Sequence, residues 1–501
     1  MKHGIRFSLI LFLTGFLFSC GTSEPHEDVK NSEKKYSPFQ LKEDFKIFRT
    51  TLEEAHPALY LFNTKDSMDY YFDAAFKKLD HEMTKDEFFR IISPIIASVY
   101  DEHTRLDFSY SYDSLQKLMP VKIRWVNGTP YIYKNLLERP DIIPGSEVVS
   151  INGKEPNDIY SEMKTVYNNG TTDPSLWYDV YSLHFDYLYA SFFEQPDSFH
   201  IAAINPTTKK QYMIDCPSVS FSDTIHMLPV YMMAEEYCRK DSCYRFYIDR
   251  ENNFATMTIS SLAGDVLEAE DGAFFRELDA DFSKMEKEKI SNLIIDLRYN
   301  FGGDPTYGAV LVNHISDKSF HLFDTITANL QQVPTYAQHI DITEAYYPDW
   351  PQMLEIIKNI PDTASTNNFY SNFRDTLFLP REKLYKGKIY VLINSDIHSA
   401  AAVTAALLDS YADVTFIGAP ISGPYNSGNA LETVYLTLPN TKITVDVPLF
   451  HYSYAIADKP QSFKKGIAPD ISITPSISDL LVHKNAVLDT TIAIIKGQKP
   501  L

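Results

Sequence analysis

A serine delivered to the start of a small-residue helix is the first feature of this sequence that could do chemistry. The run VLINSDIHSAAA (391–402) reads as a buried strand over 388–394 that passes through Ser395-Asp396-Ile397-His398 into an alanine-rich helix, 400–408. At such a junction the Ser399 hydroxyl is ringed by the first N–H groups of the helix. These have no intrahelical partner and can stabilise a developing oxyanion. The same position suits a plain helix cap, a place serine favours, so the junction alone leaves both nucleophile and cap open. Asn300-Phe301-Gly302-Gly303, after a buried strand over 292–297, has a similar double reading. Two glycines make a tight turn, or they let backbone N–H groups come close to a ligand.

The elements that must position these residues alternate between strand and helix from Tyr244 onward. Strands are expected over 254–260, 292–297, 388–394 and 414–417. Helices are expected where Phe274, Phe275, Leu278, Phe282 and Met285 recur, and over 306–315. A hairpin over 434–447, turned at Pro439-Asn440, is expected to close the same sheet. This alternation predicts an α/β core.

Upstream, 121–134 alternates around Asn127-Gly128, a strong hairpin signal. A turn and short strand follow over 143–153, then a helix over 159–166 and a strand pair within 199–215, turned at 205–210. The stretch before these is helical. Leu41, Phe45, Phe48, Leu52 and Ala55 share one face, as do Met68, Phe72, Ala75, Phe76 and Leu79. A third helix opens on the capping box Thr84-Lys85-Asp86-Glu87 and carries Phe88, Ile91, Ile92, Ile95, Ile96 and Val99. Asp101-Glu102-His103-Thr104 falls where that helix must end.

Composition narrows the function. At 501 residues the chain has room for about three domains. Hydrophobic residues at 44% and charged residues at 22% exclude wholesale disorder. A net charge of −20 argues against a nucleic-acid partner, which wants a basic face. Four cysteines exclude a disulfide scaffold and a CxxC zinc framework. Cys238 and Cys243 are close enough to pair in an oxidising compartment, which leaves Cys216 single.

The N-terminus reads as a secretory leader: Lys2 and Arg6, an apolar stretch over 7–18, then Leu17-Phe18-Ser19-Cys20-Gly21. That ending resembles the lipobox of bacterial lipoproteins, which implies lipidation at Cys20 and a bacterial cell-envelope location. The polar stretch after it, to about residue 38, reads as a tether.

Three stretches together resemble the C-terminal processing (tail-specific) serine peptidases. NLIIDLRYNFGGD (292–304) is similar to their Asp-Leu-Arg-x-Asn-x-Gly-Gly signature, and VLINSDIHSAAA to the segment bearing their nucleophilic serine. GIAPDI (466–471) is similar to their Gly-x-x-Pro-Asp element. IPGSEVVSING (143–153) resembles the middle of their PDZ-like domain. The resemblance runs from Phe39 to about Pro475. It implies an α+β multidomain chain: leader 1–19, tether 20–38, N-terminal helical bundle 39–106, PDZ-like β domain 107–215, and a crotonase/ClpP-like α/β peptidase core 216–501.

One branch of that family activates its serine with a lysine in a Gly-Lys-Gly context, where this chain has Pro424. The other branch, which includes the tricorn peptidase core and retinoid-binding-protein-like members, uses the histidine of Asp-Gly-His-Thr. Asp101-Glu102-His103-Thr104 matches that motif with Glu102 in place of glycine. The resemblance therefore implies His103 as the base. His398 is the rival, but its ring, on the residue next to Ser399, is poorly placed to reach that hydroxyl. The implied oxyanion donors are the backbone N–H groups of Gly302 (or Gly303) and Ala400.

No cofactor or metal is implied, and the partners expected are a peptide or protein substrate and a membrane reached through the lipid. Two positions depart from the family. Ala402 stands where an acid closes Ser-Ala-x-Glu, and no acid shortly precedes Gly466, Asp458 being the nearest carboxylate. These departures favour a rival reading, a catalytically inactive or weak peptide- or lipid-binding lipoprotein that keeps the peptidase scaffold.

Overall fold

The computed structural model describes residues 34–106, 117–167, 170, 177–220, 243–267, 272–343, 345, 348–359, 373–456 and 465–498. The leader, Cys20, Cys238 and Asp458 lie outside the described residues, as does the tether up to residue 33. The chain is a mixed α+β multidomain protein.

Its central element is a six-stranded sheet in the order Tyr244–Asp249, Phe254–Ile259, Asn292–Asp296, Lys388–Ile393, Val414–Gly418, Ile471–Ser472. The first pair is antiparallel and every later pair is parallel. Near-continuous apolar runs such as NLIID and KIYVLI suit strands covered on both faces. Helices Ala273–Glu288, Pro305–Asn313, Ser399–Tyr411 and Ala486–Ile495 accompany the sheet. Asp296 pairs with Leu392, so the loops after these two adjacent strands emerge side by side at one edge. Ligand sites of parallel sheets form at this edge.

The hairpin near Pro439-Asn440 exists but does not close that sheet, contrary to the expectation. Ser427–Thr437 and Thr444–Tyr454 form the middle of a separate antiparallel sheet with Phe323–Thr327 and Ile340–Asp341. Arg105–Leu106 joins it as well, on Thr444–Tyr454. Local alternation marks a strand but carries no information about its partner, and here the partners are remote in sequence.

Three helices open the described chain: Pro38–Ala55, Lys65–Lys77 and Lys85–Val99. The third carries the capping box read from the sequence, Thr84 with Glu87. The first docks on the hairpin turn through buried Asp44, which accepts from Asn440 N–H at 3.0 Å, Thr441 N–H at 2.8 Å and the Thr441 hydroxyl at 2.7 Å. Along the chain, between these helices and the strands of the parallel sheet, comes a five-stranded antiparallel sheet, Val121–Val126, Thr129–Asn135, Glu147–Ile151, Ser198–Ile204 and Gln211–Pro217. Asn127 and Gly128 both have positive φ, as a tight hairpin turn requires.

Helix Trp177–Phe192 packs on this sheet, with Phe185 against Trp125 at 4.8 Å between ring centroids. The sequence reading did not find this helix. Its aromatic residues are spread around the axis and give no clear apolar stripe.

Candidate active site

Ser399 is the first residue of helix Ser399–Tyr411, six positions after Ile393, the last residue of the buried strand. The helix start is fixed from behind. Buried Ala400, Ala401, Val403 and Thr404 face inward, and helix Pro305–Asn313 crosses close enough that a Cβ on Gly308 would stand 1.8 Å from Thr404 Oγ1. Thr404 Oγ1 in turn donates to Ala400 O at 2.8 Å.

Ser399 is half-buried and has φ +50°, the left-handed region that costs a side-chain-bearing residue roughly 1–3 kcal/mol. It is not the helix cap. That position belongs to His398, which makes no capping bond through its side chain. The Ser399 N–H instead donates to Glu102 Oε1 at 3.0 Å, from a residue 297 positions away.

The double glycine passes directly under the serine. At Gly302, φ +100°, an added Cβ would come within 2.7 Å of Ser399 Cβ and 2.9 Å of Ala400 N. Asn300, fully buried, ties the loops together. It donates to Ile259 O at 2.9 Å, its carbonyl accepts from His398 N–H at 3.0 Å, and its Oδ1 accepts the Gly302 N–H at 2.8 Å. Gly302 thus lies where an oxyanion donor is expected, with its N–H engaged by Asn300. Ala400 contributes an amide of the helix's first turn, where N–H groups lack intrahelical acceptors.

His103 arrives from the other side. Helix Lys85–Val99 ends on Tyr100 in the left-handed conformation, and Asp101 Oδ1 accepts the His103 N–H at 3.3 Å. Two residues later Arg105–Leu106 pairs with Thr444–Tyr454, so the segment is held at both ends.

A buried relay lies beneath it. The Ala58 N–H donates to His56 Nδ1 at 3.1 Å, which leaves the ring proton on Nε2, 2.7 Å from Thr104 Oγ1. The Thr104 hydroxyl donates to Asp101 Oδ2. Burial resists the Asp101 charge, but the His56 hydrogen bond, the nearby histidines and Thr104 outweigh it and bring its pKa down to about 2.

His103 Nδ1 is 3.9 Å from both Asp101 Oδ1 and Glu102 Oε1 and makes no hydrogen bond among the described residues. The Ser399 N–H and His103 Nδ1 thus lie 3.0 and 3.9 Å from the same carboxylate oxygen, Glu102 Oε1. The other oxygen, Oε2, accepts from His398 Nδ1 at 2.6 Å. His398 also stacks on Phe301, with centroids 5.6 Å apart and planes 7° from parallel. Burial disfavours both charges of this pair. Mutual attraction exceeds that cost, so Glu102 titrates below and His398 above its ordinary range.

A hydroxyl in a left-handed turn at a helix start, two histidines, a carboxylate and close-lying amides form the equipment of nucleophilic acyl transfer. Among the described residues, no group of His, Cys, Asp and Glu could hold a metal ion.

Residues 257–473 match the model of peptidase family S41. On that match the chain is a serine-type peptidase. The matched region spans most of the six-stranded sheet and contains Gly302, Ala400 and Ser399, while Glu102 and His103 lie before it. No curated protein matches the chain.

Among solved structures, the fold is similar to mature CPAF: TM-score 0.62, 13% identity, 92% of this chain and 98% of that one. It is also similar to mature CPAF complexed with lactacystin: TM-score 0.64, 13% identity, 92% of this chain and 99% of that one. At this identity the likeness concerns the fold alone.

The sequence reading treated Glu102 only as a departure from a glycine motif and overlooked the His56–Thr104–Asp101 relay. A carboxylate inside an otherwise matching motif was a usable signal for the first. For the second, only the histidine at the end of helix Pro38–Ala55 hinted at it.

Proposed function

We propose that the protein is an envelope-anchored serine endopeptidase that hydrolyses peptide bonds through Ser399 and His103. The observation that carries this reading is Ser399 itself, held in a left-handed turn at the start of a buried helix and pressed against Gly302. In the mechanism His103 takes the Ser399 proton as Oγ attacks the scissile carbonyl carbon. The resulting oxyanion is held by the Ala400 N–H and by the Gly302 N–H, released from Asn300. Collapse breaks the C–N bond, His103 returns its proton to the leaving amine, and water hydrolyses the acyl-enzyme.

The antiparallel sheet of Val121–Pro217 is read as the PDZ-like unit, which would take an extended peptide as an added strand. The three N-terminal helices are read as a bundle that delivers His103. Anchoring rests on the Cys20 segment. Among the described residues no helix is long and apolar enough to cross a membrane.

A fluorophosphonate probe tests the chemistry: the wild-type chain labels and Ser399→Ala does not. Absence of wild-type labelling would favour the second reading, an inactive peptide- or lipid-binding scaffold. That reading is favoured by the engaged Gly302 amide and by the lack, among the described residues, of a hydrogen bond at His103 Nδ1.

A further inference from the structure

We propose that Glu102 is the positioning residue of this site: its single carboxylate holds the His398 ring and the Ser399 amide together and thereby fixes the nucleophile's turn beside His103. The proposal rests on the peptidase reading. It also supplies a carboxylate to a site whose sequence lacks one at both family positions, Ala402 and the stretch before Gly466.

Both oxygens are used. Oε1 accepts the Ser399 N–H at 3.0 Å and Oε2 accepts from His398 Nδ1 at 2.6 Å. With Nδ1 committed to the carboxylate and one ring face on Phe301, His398 has little freedom to turn. A negative group at a helix N-terminus is favourable, and it does here what the helix's own N-cap side chain does not. Because Ser399 sits in a strained turn, an acceptor on its amide is a direct restraint on where Oγ points.

The surroundings keep the carboxylate ionised. From its own segment it faces His103 and Arg105. From the nucleophile's junction it faces His398, with Asp396 behind. From strand Thr444–Tyr454 it faces Tyr452 and Tyr454. His398 and His103 are the groups that draw its pKa down.

The role separates from that of a simple helix cap by substitution. In Glu102→Gln the amide oxygen can still accept the Ser399 N–H, but an NH2 group then opposes His398 Nδ1–H. Glu102→Ala removes both bonds, and Glu102→Asp keeps the charge on a shorter arm. Misplacing a reacting group by about 1 Å can cost on the order of 100-fold. The expected result is a fall in the rate of fluorophosphonate labelling of the full chain by about 10-fold for Glu102→Gln and about 100-fold for Glu102→Ala, with partial recovery in Glu102→Asp.

A second measurement is independent of activity. In the Ser399→Ala background, NMR titration of the His398 ring should shift to lower pH on Glu102→Gln. A cap alone predicts lower thermal stability in Glu102→Ala but an unmoved His398 titration and unchanged labelling in Glu102→Gln. Wild-type labelling with an unmoved His398 titration, or with Glu102→Gln labelling at the wild-type rate, overturns the proposal alone. A wild-type chain that does not label at Ser399 overturns the peptidase reading, and the positioning role with it.

Discussion

Gly302 lies against Ser399 so closely that an added methyl would stand 2.7 Å from Ser399 Cβ, nearer than real Cβ atoms approach. Its φ of +100° adds a second reason why only glycine fits. The strand-end turn and the Ser399 turn are thus one packed unit. Gly302→Ala is expected to displace Ser399, to reduce fluorophosphonate labelling by about 100-fold or more, and to cost roughly 1–3 kcal/mol of stability. Labelling rates and urea denaturation check this. A variant that labels at the wild-type rate would mean that the loop moves away without consequence.

Gly308 and Thr404 make the corresponding contact behind the helix. A Cβ on Gly308 would overlap Thr404 Oγ1 at 1.8 Å. Gly308→Ala should therefore destabilise the fold by about 1–3 kcal/mol through overpacking and slow labelling by moving the helix. Thr404→Ser deletes a methyl group and keeps the hydroxyl, so it should not relieve the clash. Thr404→Ala removes the clashing oxygen and should restore part of the loss in the double variant. Additive losses in this double-mutant cycle would show that the two residues do not couple.

Asp101 gives the fold a pH signature. Its folded pKa, about 2, lies below the ordinary 3.8. The folded state therefore binds fewer protons than the unfolded chain between those values. The stabilisation is fully present above about pH 4 and is lost as pH falls through about 2, on the order of 2 kcal/mol in all. Asp101→Asn should flatten this part of the acid limb. Denaturation at pH 7, 4.5 and 3 should show the gap between wild type and variant narrowing toward acid. A gap that stays constant would mean that the carboxylate charge is not what the relay stabilises.

Much of this frame is legible from local pattern. The capping box at Thr84, the Asn127-Gly128 hairpin and the apolar strands before Gly302 and Ser399 each follow from residue types within a few positions. What was not legible depends on distance along the chain. Nothing near 434–447 says that this hairpin belongs with Arg105–Leu106 rather than with the parallel sheet. Nothing near Glu102 says that its carboxylate will cap a helix 297 residues later. The aromatic helix Trp177–Phe192 failed for the opposite reason, because it is apolar on too many sides for a period to stand out.

Cys20 can be tested without reference to the site. If it is the lipidated residue, Cys20→Ser should release the chain from membranes or leave it unprocessed. Membrane fractionation and the mass of the mature chain read the outcome. An unchanged distribution and mass would remove the anchor from the account.

The choice of base decides which branch of the family the site resembles. His103 reaches the same Glu102 oxygen as the Ser399 amide, at 3.9 Å and 3.0 Å, while Pro424 cannot accept a proton. Serine and base act as a unit, so removing either loses most of what both provide. His103→Ala should thus lower turnover of a short peptide or ester on the order of 10³-fold, comparable to Ser399→Ala, and the double variant should be little worse than either single one. Lys464 and Lys465 immediately precede the Gly-x-x-Pro-Asp element, and Ala at either position should leave turnover near normal. If His103→Ala retained turnover and a lysine variant lost it, the proton would pass to an amine. If instead His398→Ala matched Ser399→Ala while His103→Ala stayed active, the ring held by Glu102 would be the base itself, and the role assigned to Glu102 would become that of its direct acidic partner.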